Sequence, residues 1–175
     1  VIEEVGQIWF SSDNAKLPIF PKTSFSIFDV QPMRSSYYMT LGLDNDFYKG
    51  NVANQFLNDI QLVLESNQIT LLHKRKRASL FVNKKYKSNL KRMTKKLNYI
   101  EMPVDIDATQ IIQKTKACIS MPFTSTALIA KLEGKPSVYY DPYGTIQKDD
   151  PAAHGIPILS GVDELNAWVR NLSNE

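Results

Sequence analysis

Cysteine is almost missing from this chain: the single one, Cys118, sits inside an apolar stretch. An intrachain disulfide is excluded, and a reducing compartment fits better than an oxidising one. A lone buried cysteine of this kind acts as a small hydrophobe. No apolar run approaches the roughly 20 residues that cross a bilayer. The opening VIEEVGQIWF is acidic and short, unlike a secretory leader. It also lacks an initiating Met, so the chain is expected to be a piece of a longer protein. Internal repeats, low-complexity tracts and CxxC or HExxH patterns are lacking, so no metal is expected. The most local absence is of acids: none occurs between Glu65 and Glu101.

What remains is an ordinary globular composition, with 43% hydrophobic and 22% charged residues among 175. That suffices for one domain with a full core. Residues 1–24, broken by Pro18 and Pro21, read as a linker or the remnant of an upstream domain. Residues 25–175 read as a single domain.

Short apolar runs predict strands at 25–30, 69–73, 99–102, 117–121, 136–141 and 157–159. Helical periodicity lies between most of them. Asn51 is the expected cap of a helix to about 66, and a second helix is expected over 83–97. Asp107 caps a short helix through Ile111 and Ile112, and another runs over 124–133 to a stop at Gly134. Ser160 and Asp163 form a near capping box for a last helix carrying Leu165, Trp168, Val169 and Leu172. Strands alternating with helices imply an α/β, Rossmann-like, doubly wound domain. Its mostly parallel six-stranded sheet carries helices on both faces. Ligands of such folds lie beyond the C-terminal strand ends, where the strand order reverses.

Three segments carry candidate chemistry. The first is the turn Thr124-Ser125-Thr126, which follows a strand and opens a helix. Pro122 holds Met121 extended and so separates strand from helix. Hydroxyls and unpaired N–H groups at a helix N-terminus suit a phosphate. The second is the basic run that ends the second strand. Lys74 and Arg75 are expected at the same sheet edge as the turn, followed by Lys76 and Arg77, and Arg34 past the first strand is a further candidate. The third is the loop 141–157, with His154 near Asp149 and Asp150; a surface histidine in a turn is the plainer reading.

Beyond the basic loop, Lys84, Lys85, Lys87, Lys91, Arg92, Lys95 and Lys96 fill one half of the next helix surface. Tyr86, Leu90, Met93 and Leu97 fall on the other half, so packing alone explains the periodicity. An anionic partner, a membrane surface or a polyanionic acceptor, would account for the lack of interspersed acids, and a plain solvated face is the plainer reading. Nucleic acid is not expected: the net charge is only +3 and no recognition motif is present.

The block 120–142, the basic loop and the closing HGIPILSGVDELNAWV resemble the C-terminal donor-binding domain of GT-B glycosyltransferases, in particular enzymes of bacterial surface polysaccharides. CMP-sugar-dependent sialyltransferases and Kdo transferases hold the donor phosphate with a Ser/Ser-Thr pair at this helix start, which Ser125 and Thr126 match. Where those families carry a His-Pro motif, this chain has His73-Lys74-Arg75. The resemblance implies a glycosyltransferase acting on a saccharide or lipid-linked acceptor. It implies a nucleotide-sugar co-substrate and no other cofactor. It also implies a separate N-terminal domain, so no catalytic base is nominated, and a cytoplasmic location, peripheral at the inner membrane. Two rival readings stay open: a nucleotide-sugar epimerase or hydrolase half-domain, and a non-enzymatic anion- or membrane-binding module.

Overall fold

The computed structural model describes residues 17–41, 49–75 and 81–173. Six strands pair in one sheet: β1 Ser24–Phe28, β2 Thr70–Lys74, β3 Tyr99–Met102, β4 Ala117–Ser120, β5 Ser137–Asp141 and β6 Ile158–Ser160. Their order is β3-β2-β1-β4-β5-β6, and every pairing is parallel. This is the doubly wound Rossmann-like order, which reverses between β1 and β4. The helices are α1 Ser35–Thr40, α2 Gly50–Ser66, α3 Lys84–Met93, α4 Ala108–Lys114, α5 Ser125–Leu132 and α6 Gly161–Ser173. Among the described residues no helix is long and apolar enough to cross a membrane.

Strand alternation sends successive side chains to opposite faces. Phe25, Ile27, Leu71, Ile119, Val138 and Tyr140 enter one core with the apolar sides of α2, α3 and α6. Phe28 and Cys118 point the other way, onto Ile112 of α4 and Ile129 and Ala130 of α5. Each such buried side chain contributes roughly 1.5–3 kcal/mol. Leu72 and Met102 form an edge cluster with Ile106 and Ile111, and Leu17 and Phe20 pack on it. The packed unit thus takes in residues of the segment expected to be a linker. The rest of that segment, residues 1–16, lies outside the described residues.

Several local expectations shift. The cap of α2 is Lys49, without a side-chain bond, and Asn51 sits inside the first turn. Gly50 is needed there because a Cβ would stand 2.8 Å from the Asn83 side chain. Asn83 is itself occupied as the cap of α3, accepting from the N–H groups of Lys85 and Tyr86. That helix ends at Met93, and Leu97 lies fully exposed in the following turn instead of on the inner face. The chain must descend from Thr94 to enter β3 at Tyr99, which ends the helical period early. At α6 the reciprocal bond comes from Glu164, not Asp163: its Oε2 accepts from the Ser160 N–H at 2.8 Å. Gly134, at φ +67°, closes α5 with Lys135 N–H donating to the Ala130 carbonyl at 2.9 Å.

Candidate binding cleft at the strand switch

A cleft of about 660 Å³ opens where the sheet order reverses. Phe28, the last residue of β1, and Asp29 and Val30 just past it lie at its base. Lys74 and Arg75 enter from the end of β2, the 104–108 segment from β3, and the 123–126 turn from β4. Parallel strands bring all these ends to one edge, so four separate sequence segments meet there.

The turn is built differently from the sequence expectation. Thr124 is the cap residue of α5 by backbone conformation, but its side chain makes no cap bond. Its Oγ1 donates instead to the Met121 carbonyl at 2.8 Å. The Thr126 hydroxyl pairs with that of Ser120 at 2.8 Å. Two of the three hydroxyls are therefore spent inside the protein. Ser125 alone is exposed on the cleft wall. The start of α5 keeps its positive end and its N–H donors, with no side-chain cap bond and no acid in its first turn.

Phe123 shapes the turn. Its φ of +61° lies in the left-handed region, which costs a non-glycine residue about 1–2 kcal/mol. Tyr139 holds the strained residue in place. The two rings lie 5.9 Å apart, and the Tyr139 hydroxyl donates to the Thr124 carbonyl at 3.2 Å. Strain maintained in this way clusters at ligand sites.

The opposite wall is less cationic than expected. Lys74 is buried, and its Nζ donates to the Val104 carbonyl at 3.1 Å. Burial lowers its pKa, while the charges of Asp107 and Asp105 oppose that shift. Arg75 is paired with Glu101 at 2.5 Å. Asp105 and Asp107 also line the cleft, so carboxylates and cations share this wall. Asp107 meanwhile caps α4, accepting from the Thr109 N–H at 2.7 Å.

Other candidates lie elsewhere. Arg34 does not line the cleft; it is exposed ahead of α1, its backbone N–H donating to the Phe81 carbonyl. Lys76 and Arg77 lie outside the described residues. His73 is fully buried below the sheet edge, where Nδ1 meets the Tyr99 hydroxyl at 2.6 Å and Nε2 lies 3.3 Å from Asp29 Oδ1. His154 is exposed in a turn, while Asp150 caps that turn through the Ala152 N–H. Asp141 ties down the start of the same loop by accepting from the N–H groups of Tyr143 and Ile146.

Sequence reasoning missed Asp29 and Phe123. Asp29 was legible only as an acid inside the strand predicted over 25–30, whereas β1 ends one residue before it. Phe123 carried no signal, since no local pattern announces a left-handed phenylalanine.

A family model described as polysaccharide biosynthesis PFTS motif protein matches residues 1–169. The chain belongs to this family. The motif's four letters occur once, at Pro122-Phe123-Thr124-Ser125. In this PFTS-motif protein they are the β4–α5 turn: the proline that ends the strand, the strained phenylalanine, the cap residue and the exposed serine. The segment with these four letters thus contributes Phe123, Thr124 and Ser125 to one wall of the cleft. Membership places the protein in polysaccharide biosynthesis. No curated protein matches the chain.

Proposed function

We propose that the cleft binds the phosphate end of a nucleotide-sugar, and that the chain is the donor-binding part of a glycosyltransferase making a bacterial polysaccharide. The observation that carries this reading is the uncapped start of α5, set at the strand switch across the cleft from Lys74. A helix start carries roughly half a positive charge and presents N–H donors. Transfer breaks the bond between the sugar's anomeric carbon and the phosphate oxygen, and the bonding pair leaves with the phosphate. The α5 start and Lys74 stabilise the charge that grows there. Asp105, on the same wall, suits hydroxyl groups of the ribose or sugar as an acceptor of hydrogen bonds. A cleft of this size lies within the usual range for small-molecule sites, about 300–1,000 Å³. The acceptor hydroxyl and the base that takes its proton belong, in this reading, to a separate domain.

Calorimetric titration with CMP, UDP, GDP and CDP tests it. At least one nucleotide should bind the wild-type chain, and Ser125→Pro should weaken it about tenfold or more, the loss of one charge-assisted contact. Proline is tolerated at the first helical position, and Thr124 already has the extended backbone it requires (φ −89°, ψ 143°). The substitution removes both the hydroxyl and the N–H without breaking α5. Binding that survives it unchanged would place the phosphate elsewhere.

A further inference from the structure

The acid-free basic helix is not absorbed by the cleft. On α3, Lys84, Lys87 and Lys91 fall on one stripe, opposite the buried Tyr86, Leu90 and Met93, and Lys95 follows just past its end. All four lysines are exposed, and none of their side-chain ammonium groups makes a hydrogen bond or ion pair with a described residue. Arg92 and Lys96 differ: Arg92 bonds Asn58 and Asn89, and Lys96 pairs with Glu65. The stripe from Lys84 to Lys91 runs for about 10 Å, at 1.5 Å per residue.

An apolar cluster stands at the head of this stripe. Residues 32–34 and 81–83 lie side by side: Met33 bridges Val82, Arg34 N–H donates to the Phe81 carbonyl, and Asn83 N–H donates to the Pro32 carbonyl. This joins α1 to the residues that open α3. Tyr37 stacks on Phe81, with centroids 5.8 Å apart and planes 18° from parallel. Phe81 is 55% exposed, Met39 81% and Leu41 52%. A solvated basic face has no use for exposed aromatic and aliphatic side chains at its end. A soluble polyanion would match the lysines and leave those side chains in water. An anionic bilayer matches both: lysines meet the headgroups while Tyr37, Phe81 and Met39 enter the interface.

We propose that α1, Phe81 and the lysine stripe of α3 form a docking surface for an anionic lipid bilayer. α3 begins at the sheet edge on which the cleft opens, so docking there sets the cleft mouth beside the lipid. The proposal does not depend on nucleotide binding, and its test contains no nucleotide. The full chain is sedimented with phosphatidylcholine vesicles, with and without phosphatidylglycerol, at low and high salt. Binding is expected only to the anionic vesicles and is expected to vanish at high salt. Lys84→Gln/Lys87→Gln/Lys91→Gln should weaken it about 100-fold, taking roughly 1 kcal/mol per lysine. Tyr37→Ser/Phe81→Ser should also weaken vesicle binding while leaving heparin binding unchanged. Lys114→Gln/Lys135→Gln, one exposed and one half-buried and both on other elements, should leave vesicle binding intact. The proposal is overturned if the chain fails to sediment at low salt, if the triple variant binds as wild type does, or if the control pair loses as much. It is equally overturned if heparin binds and the aromatic pair makes no difference to vesicles, which would mark a polyanion site.

Discussion

Tyr86 of α3 donates its phenol hydrogen to the Asp29 carboxylate just past β1, with both groups out of water. This bond ties the basic helix to the base of the cleft. Burial and the adjacent Asp29 charge push the Tyr86 pKa well above its ordinary value, so the proton stays in place. Below Asp29, His73 and Tyr99 extend the same polar group into the sheet. Tyr86→Phe keeps the ring and removes the donor to a buried charge. It should cost about 1.5–3 kcal/mol in urea unfolding, and a loss below about 0.5 kcal/mol would show that the bond is not made.

The order of two substitutions tests the strained turn. At an ordinary helix or strand position alanine is better than glycine. At Phe123, Ala would keep the left-handed cost and lose the ring contact with Tyr139. Gly would lose the contact and release the strain. Phe123→Gly should therefore be the more stable of the two by about 1 kcal/mol. Chemical denaturation of both variants decides it; alanine at least as stable as glycine would mean that no strain is held there.

Asp59 gives the fold a pH dependence of known sign. Burial in α2 raises its pKa, although hydrogen bonds from Tyr140 and Gln55 pull the other way. The folded chain keeps this proton after the unfolded chain has released it. Stability from the group is full below the ordinary carboxylate value, near 4, and falls as pH rises through the higher folded value. Asp59→Asn should remove that fall, so the difference from wild type changes across the acid range and levels off above it. Unfolding curves collected in steps of pH measure it, and two curves that stay parallel would contradict the assignment.

Cys118 should be chemically silent. It is wholly buried, and burial pushes its thiol up to about 11. The thiolate is the reactive form. Labelling by a disulfide reagent at neutral pH should follow global unfolding, and fast labelling of the native chain would contradict this burial.

The strands were readable because buried parallel strands are short apolar runs, such as Leu71 and Leu72 or Ala117 to Ile119. Gly134 and Asp107 were readable because their roles are local. The cleft was legible only in part. The turn and Lys74 announced themselves as a helix start and a strand end, and strand order alone brings them face to face. What each hydroxyl does was not legible: Thr124 and Thr126 find partners in Met121 and Ser120, and only folding brings those within reach. The same holds for Arg75, which meets Glu101 from a neighbouring strand.

The central claim is that a nucleotide's phosphate sits at the start of α5, opposite Lys74. Amide chemical-shift mapping tests it most directly, with labelled chain titrated with the nucleotide that binds best in calorimetry. The account predicts the largest shifts at Thr124, Ser125, Thr126 and Ala127, with smaller ones at Lys74 and Arg75. Shifts centred on α6 or on the 141–157 loop, with the PFTS turn unmoved, would contradict it.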